Sequence, residues 1–345
     1  MANPDMAIPR KPAWQHDSHR FCVAPMIDWS DRFCRGFHRM LSRRARLYTE
    51  MITTGALIHG PRERLLAFGQ AEHPVAIQLG GCEPGELATC ARWAEQAGYD
   101  EVNLNCGCPS ERVQRGAFGA CLMAEPGRVA DCVKAMRDAV SLPVTVKHRI
   151  GLDRVEDYGF VRDFAGTLAD AGCELFIVHA RNAWLKGLSP KENRTVPPLR
   201  YAVVHQLARD FPDCRFVLNG GLRSHDAALA QLRESGLAGV MFGREAYENP
   251  WMLASVDLLY FDQTGPAASR EAVVEQMQRY LADEAAAGTP PRAITRHMLG
   301  LFNGLPGARR WRRTLSDPAA LDREGAGILA AGLAALRSAP SAVST

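Results

Sequence analysis

The residues best equipped for chemistry lie in Glu101–Met123, EVNLNCGCPSERVQRGAFGACLM. Val102 and Leu104 alternate with Asn103 and Asn105, the period of a strand, and Gly107 and Pro109 then break it. Cys108 therefore falls on a turn just past the strand's C-terminal end, with Gly116 and Gly119 following before a helical run near Pro126. A thiol, two carboxamides and three glycines crowd one strand end, where an α/β enzyme keeps its chemistry. With a reference pKa of about 8.5, a thiol is mostly protonated at neutral pH and can serve as a proton donor. A free cysteine is more often inert packing, but a Gly-Cys-Pro turn suits burial poorly.

A scaffold has to hold that turn. Short apolar runs recur at Phe21–Ala24, Leu47–Thr49, Val75–Leu79, Val102–Asn105, Val144–Lys147, Leu175–Val178, Phe216–Leu218 and Val240–Phe242. Amphipathic stretches such as Glu86–Ala97, Val129–Ala139, Tyr158–Ala171 and His225–Ser235 lie between them. Such alternation implies parallel strands with crossover helices, and eight units over about 240 residues is the count of a (β/α)8 TIM barrel. A doubly wound sheet is the structural alternative, but neither G-x-G-x-x-G nor a P-loop is present.

The barrel places polar residues at the strands' C-terminal ends: Ala24-Pro25-Met26, Gln78, Asn103 and Asn105, Lys147, His179, Asn219-Gly220-Gly221 and Gly243-Arg244. Loops after strands seven and eight of this fold commonly bind phosphate, because glycines bare backbone N–H groups and an arginine adds charge. Asn219, Gly220, Gly221, Gly243 and Arg244 fit that role, so a phosphorylated ligand is expected. Beyond Phe261 the strand signal ends, and helical stretches follow at Arg270–Ala287, Arg292–Asn303, Arg309–Leu315 and Ala326–Ser338. The expected organisation is an N-terminal arm (1–20), a barrel (21–262), a small all-helical domain (263–338) and a tail (339–345).

The 345 residues, 47% apolar and 23% charged, are ordinary globular material with no run long enough to span a membrane. The first twenty carry no apolar signal core, so a cytoplasmic protein is expected. Ten cysteines without a C-x-x-C pair point to reduced thiols, neither a disulfide framework nor a zinc or other metal site. Net charge is only +3, but Arg292, Arg296, Arg309, Arg310, Arg312 and Arg313 occupy Gly288–Ser316 without one acid. A second basic cluster, Arg39, Arg43, Arg44 and Arg46, lies early. Charge runs are usually solvated faces; six arginines around Trp311 with no counter-charge are harder to dismiss as one.

NLNCGCPSERVQRGAFGACLM at 103–123 resembles the signature of the tRNA-dihydrouridine synthases, in particular their A-type bacterial branch. Ala24-Pro-Met26, VAIQLG at 75–80, VKHRIG at 146–151, VHAR at 178–181, Asn219-Gly-Gly221, GREAYENP at 243–250 and LGLFNGLPGARRWRR at 299–313 look like the same family. The resemblance is collinear from about residue 20 to 315; Cys106 departs from it, standing where an aliphatic residue is expected. It implies an FMN-dependent enzyme that uses NADPH to reduce the C5=C6 bond of D-loop uridines in tRNA, those at 20 and 20a.

By the same resemblance Asn219, Gly220, Gly221, Gly243 and Arg244 hold the FMN phosphate. Ala24, Pro25 and Met26 lay their backbone against the isoalloxazine, and Gln78, Lys147 and His179 bond the ring or ribityl chain. Asn105 contacts the base, which must be flipped out of its stack, while Lys191 and Arg194 approach the tRNA. Arg309, Arg310 and Arg313 belong to the basic tract. Hydride arriving at C6 of uracil leaves enolate character at C5, and Cys108 is placed to protonate it. Cys106 shares the parity of Leu104 and should point outward. Two other functions compete: an FMN-dependent barrel reductase acting on a small metabolite, and a tRNA-binding protein on a decayed barrel without catalysis.

Overall fold

In a computed structural model describing residues 18–234 and 236–338, eight parallel strands close into a barrel in sequence order. They are β1 Phe21–Val23, β2 Arg46–Thr53, β3 Val75–Gly80, β4 Glu101–Cys106, β5 Val144–Arg149, β6 Leu175–His179, β7 Arg215–Asn219 and β8 Gly239–Phe242. All eight expected strands are present. Those of β3 and β4 are buried at every position, as parallel strands covered on both faces must be. The crossover helices end where the local chemistry dictates: Pro84 opens Pro84–Ala97 at a position needing no N–H, and Gly98, at φ 96°, closes it in the left-handed region.

Outward-facing strand residues and the helices form the large core. The barrel interior holds a smaller apolar cluster of Cys22, Ala24, Tyr48, Ala76, Leu175, Ile177, Val217 and Met241. On the other interior walls the side chains are polar. At the closed end the Glu101 carboxylate meets His19 at 2.6 Å, Arg46 at 3.1 Å, Tyr48 Oη at 2.9 Å and Thr145 Oγ1 at 2.6 Å. Burial opposes its ionisation, but the His19 and Arg46 charges and the His19 and Thr145 hydrogen bonds prevail, holding Glu101 at about 2. Ser18–Arg20, expected within a loose arm, form a turn whose Ser18 and His19 plug this end. The rest of that arm and the tail at 339–345 lie outside the described residues.

The early basic cluster is split, with Arg43 exposed and Arg44 half-buried while the other two turn inward. Arg39 is buried and donates to the carbonyls of Ser42, Ala45, Glu72 and Pro74, and Arg46 is buried in the floor. After β8, helices run at Val256–Phe261, Arg270–Ala286, Pro291–Thr295, Ala308–Ser316, Pro318–Glu324 and Ile328–Arg337. Trp311 anchors the last of these: fully buried, its indole N–H donates to the Met298 carbonyl at 2.9 Å, and Gly332 leaves room for its ring. The expected Arg292–Asn303 helix stops at Thr295. A Cβ at Gly300 would lie 2.2 Å from the Glu248 carbonyl, so the chain packs bare backbone on the barrel there.

Polar ties fix this helical region to the barrel's open end. Arg32 grips Glu284 through two hydrogen bonds, at 2.5 and 2.7 Å, and His297 meets Asp31 at 3.1 Å. Asn303 donates to the Glu248 carbonyl at 2.6 Å, and Arg296 donates to the Asp28 carbonyl. Among the described residues no helix is long and apolar enough to cross a membrane, and no cluster suits a metal ion.

Burial pushes down several histidines, among them His19 to about 4, His38 to about 3 and His148 to about 4. The unfolded chain binds protons near pH 6.5 that the folded one refuses. Stability is therefore whole above that pH and falls below it, by about 1.4 kcal/mol per pH unit for each ring. Glu101, depressed when folded, extends the loss below the ordinary glutamate value of about 4.3. Urea midpoints should drop steadily from pH 7 to pH 4.5; a flat profile would mean that these rings are solvated.

Candidate active site at the barrel mouth

The turn after β4 is built around one carboxamide. Asn105 Oδ1 accepts from the backbone N–H groups of Gly107 at 3.1 Å and Cys108 at 3.0 Å, and its Nδ2 donates to Gln78 Oε1 at 2.8 Å. The Cys108 carbonyl accepts from Ala120 N at 2.9 Å. That closure needs Gly119, at φ 78°, because a Cβ there would lie 2.6 Å from the same carbonyl. Cys108 is thus pinned by its backbone while its partly exposed thiol touches only Ser110 Oγ, at 3.6 Å. Cys106 points the other way, as its parity requires. It is fully buried under the helices, and burial pushes its thiol well above the ordinary range. Of the two, Cys108 is the one available to a ligand in the mouth.

Around it stand cations that form no ion pair among the described residues. Lys147 pairs in register with Asn105. Burial, then Arg149 and Arg194, push it down to about 7. Arg149, buried, donates to the carbonyls of Gly107 at 3.1 Å, Asn182 at 3.2 Å and Asn193 at 2.9 Å, fastening the Cys108 turn to the loop after β6. His179 lies between Arg149 and Asn219 in register, and burial followed by the surrounding cations keeps its ring neutral. Among the described residues no carboxylate forms an ion pair with Lys147, Arg149, Arg181 or Arg194. Such a mouth favours an anionic occupant.

The loops after β7 and β8 complete the rim. Asn219 Nδ2 donates to the Met241 carbonyl at 2.8 Å, tying one loop to the next strand. Gly220 and Gly221 sit at φ 114° and 67°, and a Cβ on Gly220 would lie 2.6 Å from the His179 ring. Gly243 has an ordinary φ of −105° and space for a Cβ. Arg244 follows, its guanidinium 3.4 Å from the Arg194 carbonyl. Ala24 is anchored by its N–H to the Phe242 carbonyl at 2.7 Å, and Met26 packs on the interior cluster beside Pro25.

The structure thus gathers Ala24, Pro25, Met26, Gln78, Asn105, Cys108, Lys147, His179, Asn219, Gly220, Gly221, Gly243 and Arg244 at one rim, with Arg194 over it. Lys191 is exposed further out on the same loop. Arg309 and Arg313 are exposed on Ala308–Ser316, away from the rim's strands, and Arg310 is half-buried. None of the three forms an ion pair with Glu245 or Glu248. Between that helix and the barrel opens a cleft of about 610 Å³, where Trp29 stacks on Tyr247 at 4.2 Å beside Arg296 and Arg312. Sequence reasoning missed Arg149, although two-residue parity with Lys147 in VKHRIG places it on the same face.

A parallel barrel with a thiol, carboxamides and unneutralised cations at its C-terminal rim defines a (β/α)8-barrel enzyme with an anion-accepting mouth. The sequence matches the family described as dihydrouridine synthase over residues 22–339. It is 58% identical over 299 residues to a tRNA-dihydrouridine(20/20a) synthase of Pseudomonas syringae, covering 87% of this chain and 88% of that one. The protein of that name from Escherichia coli K12 is 57% identical over 318 residues, covering 92% and 91%, and that of Yersinia pestis 54% over 315, covering 91% and 90%. The chain belongs to the dihydrouridine synthase family and is an oxidoreductase. A 2-naphthoyl-CoA reductase shares the barrel fold, with TM-score 0.54 and 10% identity over 69% of this chain; the chain spans about half its length (49%).

Arg149→Lys keeps the charge but not the three-way clamp. With about 1.5 kcal/mol of charged hydrogen bonding lost, trypsin should cut the β6 loop at Lys186, Lys191 or Arg194 about tenfold faster. Unchanged digestion would show that Asn193, bonded to both the N–H and the carbonyl of Trp184, holds the loop alone.

Proposed function

We propose that this chain is a cytoplasmic tRNA-dihydrouridine(20/20a) synthase that reduces the C5=C6 bond of D-loop uridines, with FMN bound in the barrel mouth and NADPH as hydride donor. The observation that carries the reading is the pairing of the partly exposed thiol on the turn after β4, Cys108, with cations that form no ion pair among the described residues. Bound flavin would supply a hydride to uracil C6. The residues present fit FMN: two left-handed glycines bare the backbone after β7, and Arg244 stands beside them at the start of the next loop. In this reading Asn219, Gly220, Gly221, Gly243 and Arg244 take the phosphate. Ala24, Pro25 and Met26 support the ring, and Gln78 and His179 bond its polar edge.

Lys147 meets the charge of a reduced flavin, and an anion beside it draws its pKa back up. Asn105 offers an N–H to the base, since its carbonyl oxygen already accepts two hydrogen bonds. Cys108 would deliver its proton to C5 once C6 has received hydride, leaving its thiolate beside the cations of the mouth. Residues 21–262 carry this chemistry, and 263–338 bind tRNA through Arg309, Arg310 and Arg313, with Lys191 and Arg194 near the mouth. A barrel reductase for a small metabolite would have no use for such an arginine face.

Cys108→Ala should retain flavin and its reduction by NADPH but lose tRNA reduction about 10²- to 10⁴-fold, while Cys106→Ala stays near wild type. The opposite ranking sinks the assignment. Dihydrouridine mapping of tRNA reduced by the purified enzyme tests the positions.

Arg309→Ala with Arg313→Ala should weaken tRNA binding and flatten the log–log salt dependence by about one to two units, at about 0.7–0.9 per phosphate contact. Lost thermal stability with an unchanged slope would instead make these arginines structural.

A further inference from the structure

The Glu101 carboxylate at the closed end and the Cys108 turn at the open end are joined by an unbroken line of buried side chains. Thr145 Oγ1 donates to Glu101 Oε1 at 2.6 Å, and Asn103 Nδ2 donates to Thr145 Oγ1 at 2.8 Å. Gln78 Nε2 donates to Asn103 Oδ1 at 2.7 Å, Asn105 Nδ2 donates to Gln78 Oε1 at 2.8 Å, and Asn105 Oδ1 receives the Gly107 and Cys108 amides. Every member is nearly or wholly buried: Asn103 is 0% exposed, Gln78 and Thr145 1%, and Asn105 9%.

The line has one sense, and the carboxylate sets it. Held by Arg46 and His19, Glu101 is ionised and accepts only. Thr145 must spend its single hydroxyl proton on Glu101, so it can only accept from its upper neighbour. Asn103 must then turn its amino group down and its carbonyl up. The same compulsion passes to Gln78 and to Asn105. Asn105 is left with its carbonyl toward the turn, where two backbone N–H groups need an acceptor. With the opposite sense, an amino group would face those N–H groups and the turn would lose both hydrogen bonds.

We infer that Glu101 and Thr145, at the floor of the barrel, are positioning residues for the acid at its mouth. Their charge and hydroxyl fix the direction of a relay that ends on the backbone of Cys108. The relay also decides what the mouth offers a ligand: Asn105 presents a remaining N–H, never its carbonyl. The consequence for catalysis rests on the reading of Cys108 as proton donor.

Thr145→Val tests it, since the side chain is nearly isosteric and lacks only the hydroxyl; Thr145→Ala is the alternative if the valine variant does not fold. With the relay cut, Asn103, Gln78 and Asn105 can reverse and the turn loosens. Iodoacetamide should then alkylate Cys108, followed by peptide mass spectrometry, about tenfold faster, the equivalent of one buried hydrogen bond. Single-turnover oxidation of the NADPH-reduced holoenzyme by tRNA should slow by about the same factor at saturating FMN and tRNA. Thr145→Ser should restore both rates. A lowered melting temperature with wild-type alkylation and turnover, or a serine variant no better than valine, overturns the inference. If Cys108→Ala itself reduces tRNA normally, it is the proton-donor reading that fails, and the alkylation arm, which needs no tRNA, still decides the relay.

Discussion

Lys147, Arg149, Arg181 and Arg194 converge on the mouth of the barrel with no acid among them. Unpaired cations out of water cost several kcal/mol each unless dipoles take the place of the lost hydration. The rim is composed accordingly. Arg149 spreads its charge over three carbonyls, and Arg181 donates to the carbonyls of Thr195 and Pro197. His179 stays neutral, and Lys147 surrenders part of its basicity. Positions 78, 105 and 219 bring carboxamides where carboxylates would have quenched the field. The buried acid of the interior, Glu101, sits at the floor with partners of its own, so the charge of the mouth remains open to a ligand.

That separation of charge also separates two kinds of rigidity. At the mouth, glycines and carbonyls hold loops in place while leaving space between them. At the floor, ion pairs and hydroxyls lock side chains outright. The carboxamides of Asn103, Gln78 and Asn105 join the two, each able to accept on one side and donate on the other.

The barrel was legible because parallel strands buried on both faces announce themselves as short apolar runs, and their polar C-terminal ends stand out against them. The Cys108 turn was legible from Gly107 and Pro109 and from parity. Charge type, by contrast, says nothing about burial. Arg39 and Arg46 read as surface and lie in the interior, because what admits them is a set of carbonyls and one carboxylate far away in sequence. Arg149 escaped notice for the same reason. The helix expected at Arg292–Asn303 failed where Gly300 meets the Glu248 carbonyl, a contact no local pattern records. The helix Pro318–Glu324 was not expected from the sequence, although Asp317-Pro318 is a helix-start signal.

The ties between the helical region and the barrel, Arg32 to Glu284, His297 to Asp31 and Asn303 to the Glu248 carbonyl, are short and spread along the seam. They make the two parts one frame, with the arginine face at one jaw and the thiol at the other. On the proposed reading, a polynucleotide held at the first jaw would present to the second whichever residue lies the right contour length away, so the frame would be a caliper that sets, before any base is contacted, which uridine reaches the thiol.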